Sequence, residues 1–291
     1  MLSIYLINLA RAKDRRDYIL RELVRLLPEA QVERVKAIDI KSPNYARPSD
    51  YSPGRWNSDR WALGSSDIEI FRSHLDAWRK IAETGRHGVI LEDDLLFSDQ
   101  FGECVRGLIK ANAKGIIRLD ATGHPALLAP AHSQVGIFKL HQLCSLGASA
   151  AAYMLDCDTA ARLVAHAKIE RTLDDFLFDP YPIERGASGH SLDIIQLEPV
   201  VAMQAQFGTF SSSSRRVENF LRVTKRVDVK YRKNKEIIGP LHYRLKKEVL
   251  RAKHRRAQSV RIRRILANGG TYCSVKPASD LQWRFSDRVN E

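Results

Sequence analysis

The chain has 291 residues, of which 44% are hydrophobic and 28% are charged, so it can bury a sizeable core. Its formal net charge of +13 is uneven: residues 215–291 hold 22 Lys and Arg against 7 Asp and Glu, whereas residues 1–214 hold 25 against 27. A near-neutral body with a basic tail suggests a negatively charged partner, which could be nucleic acid, a membrane surface or an anionic substrate.

Cysteine spacing and hydropathy exclude several further classes. The four cysteines are far apart and form no CxxC pair, which argues against a zinc motif or a disulfide framework and favours free thiols in a reducing cytoplasm. The apolar N-terminal stretch is too short for a signal peptide with a cleavage site, and no run approaches the ~20 apolar residues of a membrane span. We therefore expect a cytoplasmic protein that contacts a membrane only peripherally.

The first part of the chain alternates strand and helix patterns. Apolar and alternating side chains predict a strand at 2–9, a helix at 18–27 and a strand at 32–40. The turn after the first strand carries Arg11 and Arg15, at the place where an α/β nucleotide-binding fold contacts a pyrophosphate. The alternative is a solvated helix start that Asp14 caps.

A long loop and a helix follow. Residues 41–66 are rich in Pro, Ser, Asn, Asp and Gly, and they include Trp56 and Trp61. Such a loop could form a lid or an acceptor wall, or its tryptophans could pack on the core. The helix predicted at 66–83 contains His74; a lone His in a helix is more often structural than a ligand or a base.

Residues 88–97 (GVILEDDLLF) carry the strongest chemical signal. A short apolar run ends at Glu92, Asp93 and Asp94, which predicts a buried strand with acids at its end. Open α/β sheets bind ligands at the carboxyl ends of their strands. Three adjacent carboxylates repel one another, so a hard divalent cation carrying a phosphorylated ligand fits best. The alternative is an acidic turn or helix N-terminus.

The remaining patterns complete an α/β sheet. They predict a helix at 101–109, a strand at 115–120, an irregular segment at 122–135, and strands at 135–140 and at the end of 147–156. A helix at 158–167, with Asp158 as its N-cap, and a last strand at 192–197 follow. Asp120 ends one of these strands, and Asp174 and Asp175 lie in the segment TLDDFLFDPYP. The alternation predicts an α/β domain, and the lack of GxGxxG and GxxxxGK[ST] motifs disfavours ordinary dinucleotide and P-loop sites.

The tail is predicted to be a basic, mainly helical extension, residues 215–291, beside a body of residues 1–214. Leu241, Leu245, Val249 and Ala252 share one helix face, and the other faces are mostly Lys, Arg and His. A basic amphipathic helix is typical of membrane-surface binding. The alternative is a solvated helix that packs on the body.

Several segments resemble a known family in their order and spacing. They are YLINLARAKDRR (5–16), SSDIEIFRSHLDAW (65–78), VILEDDLLF (89–97), IIRLD (116–120), AAYML with the helix after it (151–164), LDDFL (173–177) and EPVVAMQ with its serine run (198–214). Together they resemble glycosyltransferase family 25, which includes lipopolysaccharide galactosyltransferase-like and collagen galactosyltransferase-like proteins. Asp-Ile-Glu-Ile at 67–70 and Thr172 depart from the usual family pattern and bear on the acceptor more than on the chemistry.

The resemblance implies a GT-A-like fold and inverting transfer of a hexose, most often galactose, from a UDP-sugar. It implies a divalent metal, Mn²⁺ or Mg²⁺, and a saccharide or lipid-linked saccharide acceptor of lipopolysaccharide, lipooligosaccharide or another cell-surface glycan. The tail lies outside the resemblance; from its positive charge we expect it to contact the anionic inner face of a membrane, and we do not expect a nucleic-acid partner.

The resemblance also implies residue roles. Inverting transfer needs a carboxylate base, for which Asp174 is the leading candidate, followed by Asp175 and Asp120. Asp94, together with Glu92, is expected to hold the metal, and Glu92 or Asp93 to hold the ribose. The expected donor-pocket or sugar-contacting residues are Asn8, Leu9, Arg11, Arg15, His74 and Gln204.

Two other classes remain open from the residues alone. A metal-dependent nuclease or phosphohydrolase would use the same acids and would bind nucleic acid through the tail with a steep salt dependence. A non-catalytic binding protein with a decayed site is the second class, and three intact acids argue against it.

Overall fold

We describe a computed structural model of the chain, which covers residues 2–49, 51, 61–182, 190–211 and 239–284. The strands are β1 (Ser3–Leu9), β2 (Gln31–Ala37), β3 (Gly88–Glu92), β4 (Leu95–Phe97), β5 (Ile116–Arg118), β6 (Pro125–Val135), β7 (Phe138–Leu143), β8 (Ala152–Leu155), β9 (Ile194–Glu198), β10 (Ala202–Gln204), β11 (Gly208–Phe210), β12 (Thr271–Ser274) and β13 (Leu281–Trp283). The helices are α1 (Lys13–Leu26), α2 (Ser65–Thr84), α3 (Phe101–Lys110), α4 (Cys157–His166), α5 (Leu173–Leu177) and α6 (Leu241–Ala267). The α/β class predicted from the sequence is confirmed.

Nine strands form one mixed sheet in the order β12-β6-β7-β9-β5-β8-β3-β1-β2. β1 is parallel to β2 and β3, and β5 is parallel to β9. β8 lies antiparallel between β3 and β5, so β1, β3, β5 and β9 all run in the same direction. Their carboxyl ends therefore meet at one edge of the sheet, and β8 begins at that edge.

The centre of the sheet is buried because its strands are continuous apolar runs. The four residues of β8 are all buried, as are the first four of β3. Helix α2 covers this region with an apolar stripe in which Phe71, Trp78 and Ile81 are fully buried. Full burial of such a side chain contributes about 1.5–3 kcal/mol, so these contacts fix α2, and with it His74, against the sheet.

The prediction of an irregular segment at 122–135 is wrong. Residues Pro125–Val135 form β6, which pairs with β7 across a turn at Gly136. β6 has no period-two alternation of apolar residues, and its pairing shifts register twice between Leu128 and Ser133. The strand is therefore held by its neighbours β7 and β12, and a pattern search along the chain misses it.

The predicted cap of α4 is also wrong. Asp156, rather than Asp158, is the N-cap, and its side chain accepts a hydrogen bond from the backbone N–H of Thr159. Both residues suit a helix N-terminus. Asp156 directly follows β8, and its side chain also accepts a hydrogen bond from the backbone N–H of Gly115.

The C-terminal part of the chain is joined to the body by strand pairing and by hydrogen bonds. β12 pairs with β6 at the edge of the large sheet, and β13 pairs with β11. Asp280 accepts hydrogen bonds from the Ser98 hydroxyl at 2.7 Å and from the Asp99 N–H at 2.8 Å. The boundary predicted at residue 214 falls beside residues outside the described part of the chain, so its position stays a prediction.

Helix α6 contacts the loop predicted to carry a lid or wall. Trp61 packs edge-on against Tyr243 with ring centroids 5.2 Å apart, whereas Trp56 lies outside the described residues. Among the helices that the structure describes, none has the length and apolar character needed to cross a bilayer.

Candidate active site

Most of the predicted site residues meet at the edge where the parallel strands end. Asn8 and Glu92 lie at the ends of β1 and β3, and Asp120 follows β5 by two residues. Ser149 lies just before β8, and Gln204 ends β10. The topology thus brings together side chains that are up to about 200 positions apart in the sequence.

Asp93 is held from the first strand and the first helix. The Asn8 side-chain amide donates to Asp93 Oδ2 at 2.6 Å, and an Arg15 guanidinium nitrogen lies 3.2 Å from Asp93 Oδ1. Arg34 donates in turn to the Asn8 side-chain oxygen at 3.1 Å. Burial raises the pKa of Asp93 to about 6, although Arg15 and Asn8 both act to lower it.

Arg11 and Leu9 do not join this cluster in the structure. Arg11 pairs with Asp39, and its side chain is about half exposed. Leu9 is partly buried, and its carbonyl accepts the Ala12 N–H at 3.0 Å, which closes the turn between β1 and α1. Of the predicted donor residues on this turn, Asn8 and Arg15 are the ones that contact an acid of the 92–94 segment.

Gln204 links the other two acids of that segment. Its Nε2 lies 3.4 Å from Glu92 Oε2 and 3.3 Å from Asp94 Oδ2. Burial and then the charge of Asp93 raise the pKa of Glu92 to about 7. Burial and then the charge of Glu92 raise the pKa of Asp94 to about 7. A cation or a hydrogen-bonding ligand at this place would relieve the repulsion among these carboxylates.

Asp120 is the most deeply buried acid of the site. Its side chain has no exposed surface, and its Oδ2 accepts the Ser149 hydroxyl. Burial raises its pKa to about 8, and the nearby Arg118 guanidinium opposes that rise. Arg118 is itself buried, donates to the carbonyl of Ala148 and lies 4.5 Å from the ring centroid of Phe178.

Asp174 is held differently from Asp175. Thr172 caps the short helix α5, and Asp174 Oδ2 accepts the Ser149 N–H at 2.9 Å. Burial raises the pKa of Asp174 to about 6, and that N–H acts against the rise. The structure therefore brings Asp174 into the acid cluster and gives Asp175 no corresponding hydrogen bond from Ser149.

His74 contacts the site from the covering helix. It is fully buried; its Nδ1 lies 2.8 Å from the Tyr153 hydroxyl and its Nε2 lies 3.4 Å from Glu92 Oε1. The indole N–H of Trp78 donates to the same hydroxyl at 2.7 Å. A neutral imidazole carries one N–H, and the carboxylate that faces Nε2 is an acceptor. A ring proton on Nε2, with the Tyr153 hydroxyl donating to Nδ1, therefore satisfies all three groups. Burial lowers the pKa of His74 to about 3, so the ring is neutral.

Ser149 and Arg118 are site residues that the sequence reasoning missed. Ser149 contacts Asp120, Asp174 and Gln204 at once; its hydroxyl lies 3.1 Å from the Gln204 side-chain oxygen. Its φ is 74°, which is uncommon for a residue with a side chain. No local motif marks a serine for this role, because its partners come from three distant segments.

The chain is similar in sequence to known proteins over more than half of its length. Residues 1–177 match the model of a family described as glycosyltransferase family 25 (LPS biosynthesis protein). The chain belongs to glycosyltransferase family 25. The matched segment includes every predicted site residue except Gln204. Family 25 membership makes the protein a glycosyltransferase, which overturns the nuclease and phosphohydrolase alternatives.

Curated relatives of this family 25 protein match a shorter segment. Procollagen galactosyltransferase 2 of Mus musculus and that of Homo sapiens are each 34% identical over 105 residues, which is 34% of this chain and 16% of theirs. Procollagen lysyl hydroxylase and glycosyltransferase of Acanthamoeba polyphaga mimivirus is 29% identical over 114 residues, 34% of this chain and 12% of that protein. The chain thus aligns with less than a fifth of the length of each of these relatives.

The family 25 assignment agrees with the fold and bears on the expected metal. The large mixed sheet with flanking helices is the GT-A-like architecture. Within the described residues, no three His, Cys, Asp or Glu side chains are arranged to hold a metal ion. The carboxylates of Glu92 and Asp94 have the hard oxygen donors that Mg²⁺ and Mn²⁺ prefer. The site therefore fits such a cation in donor chemistry, although its side chains do not form a complete ligand set in this arrangement.

Proposed function

We propose that this family 25 enzyme transfers galactose from UDP-galactose to a hydroxyl of a saccharide acceptor, with inversion at the anomeric carbon. The observation that carries the proposal is the position of Asp174, a partly exposed carboxylate that Ser149 links to Asp120 and that lies near enough to Glu92 to be influenced by its charge. The mammalian relatives are galactosyltransferases by name, which supports galactose as the transferred sugar. The family description supports an acceptor of the lipopolysaccharide type.

Asp174 is the proposed general base. The acceptor oxygen forms a bond to the anomeric carbon while the bond from that carbon to the UDP β-phosphate oxygen breaks, and its electron pair leaves with UDP. The acceptor proton passes to the Asp174 carboxylate. A pKa of about 6 leaves most of this group ionised at neutral pH and makes it a stronger base than an ordinary Asp.

Asn8 and Arg15 form the proposed donor-binding edge. Arg15 lies on the first turn of α1 and reaches Asp93 at 3.2 Å, and its planar guanidinium suits a phosphate. Asn8 fixes the other oxygen of Asp93, so that this carboxylate is oriented before the donor binds. We include Arg11, on the same turn, as a donor residue, although it pairs with Asp39 in this structure.

The proposal includes a divalent metal and a positioned Glu92. Asp94 and Glu92 would hold Mn²⁺ or Mg²⁺, which when bound would neutralise charge on the leaving pyrophosphate. The neutral His74 ring presents its Nε2 to Glu92 at 3.4 Å, and Gln204 presents its amide to both carboxylates. These two side chains orient the acids without adding negative charge.

We further propose that the enzyme works in the cytoplasm, where UDP-sugars are the donor pool, on a saccharide or lipid-linked saccharide. A direct test is to incubate the protein with UDP-galactose, UDP-glucose and UDP-N-acetylglucosamine and to measure UDP release. We expect UDP-galactose to react fastest with added Mn²⁺ and EDTA to suppress the rate. UDP release no faster than the spontaneous rate with every donor would contradict the proposed function.

A further inference from the structure

Helix α6 presents two opposite faces to two different surroundings. The residues on the side toward the body are spaced so that they share one face of the helix. Tyr243 is buried and contacts Trp61, Arg261 stacks on Tyr181, and Ile265 lies against Gly270. The helix therefore has a fixed orientation on the body. Its remaining surface is fixed too, so the residues that point outward are defined by the structure.

The outward face carries exposed aliphatic side chains. Leu241, Leu245, Val249 and Val260 are 66%, 63%, 57% and 66% exposed, respectively. Residues spaced four apart lie on one side of a helix, and the first three are spaced in this way. Helix α6 therefore packs on the body, as the alternative weighed from the sequence expects, but it does so through Tyr243 and Arg261. Its aliphatic positions 241, 245 and 249 stay exposed.

The same face is surrounded by positive charge. Residues 241–267 contain ten Lys and Arg and one acid, Glu248, which pairs with Arg251. Exposed cations beside the aliphatic row include Arg244, Lys253 and Arg256. This concentration of like charge opposes pairing of α6 with the same helix of a second copy.

We propose that the outward face of α6 binds an anionic lipid surface, with its basic side chains on the headgroups and its aliphatic row inserted shallowly between them. Cationic side chains alone would suit any polyanion, whereas exposed leucine and valine among them gain only from an apolar medium. Each Lys or Arg near an anionic leaflet contributes about 1 kcal/mol, which corresponds to a factor of about five in affinity. This inference concerns binding alone and does not depend on the proposed reaction.

Vesicle sedimentation with the full chain tests the proposal. The probes are phosphatidylcholine vesicles with and without phosphatidylglycerol, at low and at high salt. We expect binding only when phosphatidylglycerol is present and a loss of at least about tenfold in affinity at high salt. The double variant Leu245→Glu/Val249→Glu should bind at least about tenfold more weakly than the unchanged protein.

Val24→Glu is the matched control. Val24 is 69% exposed on α1, and the change puts one glutamate in place of an exposed aliphatic side chain far from α6 along the chain, so vesicle binding should be unchanged. If the double Glu variant does not fold, Leu245→Ser/Val249→Ser removes the apolar row without adding charge and should still weaken binding.

Three results would overturn the proposal. The first is full-length protein that stays in the supernatant at low salt with phosphatidylglycerol vesicles. The second is equal vesicle binding by the Leu245/Val249 variants and the unchanged chain. The third is evidence that the face binds another partner. That evidence would be a stronger preference for a DNA or RNA duplex than for vesicles of equal charge, or a dimer that these variants dissociate.

Discussion

Asp174 and Asp175 are adjacent carboxylates with different surroundings, and they offer a matched pair for testing the base. Asp174→Asn should lower kcat by about 10²–10⁴-fold, the range for loss of a general base, with a small effect on the donor KM. The reason is that Asn keeps the shape of the side chain but cannot accept the proton. Steady-state kinetics with UDP-galactose and an acceptor measures both parameters.

Asp175→Asn is the control for this experiment. Asp175 contributes its backbone N–H to the Thr172 cap, and Asn leaves that bond intact, so kcat should stay within a few-fold of the unchanged enzyme. A large loss in Asp175→Asn combined with full activity in Asp174→Asn would exchange the two roles.

Ser149 can be tested separately for its hydroxyl and for its backbone. Ser149→Ala removes the hydrogen bond to buried Asp120 and keeps a Cβ at a φ of 74°. We expect a loss of about 1–3 kcal/mol in the free energy of unfolding, the cost of leaving a buried polar group without its partner. Ser149→Gly should lose less, because glycine adopts positive φ without strain.

Urea denaturation of the two variants at neutral pH provides the comparison. Equal stability of Ser149→Ala and the unchanged chain would mean that the hydroxyl contributes nothing to holding Asp120. Equal losses in both variants would mean that the positive φ carries little strain.

Buried Asp120 gives the folding stability a pH dependence with a definite sign. Its pKa is raised to about 8 from an ordinary value of 3.8. Between these values the folded chain holds a proton that the unfolded chain has released, so raising the pH through this window destabilises the fold. Asp120→Asn removes this titration and should therefore flatten the decline in stability from about pH 5 to about pH 8.

Urea titrations at several pH values, without added metal or nucleotide, measure the two slopes. Asp76→Asn on the exposed surface of α2 is the control and should follow the unchanged chain. If the free energy of unfolding falls equally with pH in Asp120→Asn and in the unchanged chain, the pH dependence does not come from Asp120.

At the residue scale, the sequence identified carboxylates better than it identified their partners. Glu92, Asp93 and Asp94 could be predicted because a strand pattern ends at them, and Asp174 because a family motif contains it. Ser149 and Arg118 could not be predicted, since a serine or an arginine acquires such a role only from residues that the fold brings near. The roles themselves remain predictions.

The turn between β1 and α1 is the element that the donor prediction tests. Arg15 contacts Asp93 at 3.2 Å, whereas Arg11 pairs with Asp39 at the surface. Arg15→Ala should raise the donor KM about tenfold, as expected for loss of a charged hydrogen bond of ~1.5 kcal/mol. Arg11→Ala should raise the donor KM by a smaller factor and should leave the acceptor KM unchanged.

Initial rates measured with each substrate varied in turn separate the two constants. An effect of either change on the acceptor KM alone would place the turn outside the donor site. Arg16→Ala is the comparison, because Arg16 pairs with its neighbour Asp17 and not with the acids of β3.

Elements were predictable where one face or the whole of an element is buried. The strand at 2–9 and the helix at 18–27 carry regular apolar patterns, and β1 and α1 cover nearly the same residues. β6 was missed because its residues from His132 to Gln134 are exposed and its register is irregular. Such a strand owes its conformation to hydrogen bonds with β7 and β12, which a linear pattern does not show.

The whole molecule depends on its C-terminal strands. Truncation after Ser214 would remove β12 and β13 and with them the bonds from Ser98 and Asp99 to Asp280. We expect the truncated chain to show a lower melting temperature or to be insoluble, because β6 loses one of its two partners, β11 loses β13 and buried Leu281 leaves the core. Differential scanning fluorimetry and soluble yield measure the effect.

Truncation after Arg284 is the matched control, since it keeps both strands and should melt like the full chain. Unchanged stability of the chain cut after Ser214 would show that the body is complete without β12 and β13. That result would also support the domain boundary predicted from the sequence.

The pairing of β6 with β12 has a consequence for biosynthesis. On the ribosome, β6 emerges well before its partner, because more than 130 residues separate Val135 from Thr271. At about 5–20 residues per second, this interval lasts on the order of 10 s. During that time the outer edge of β6 lacks the strand that later covers it, and unpaired edges are sites of aggregation. The nascent chain is thus exposed to chaperones and to misassembly until late in translation, after its proposed catalytic acids have been made.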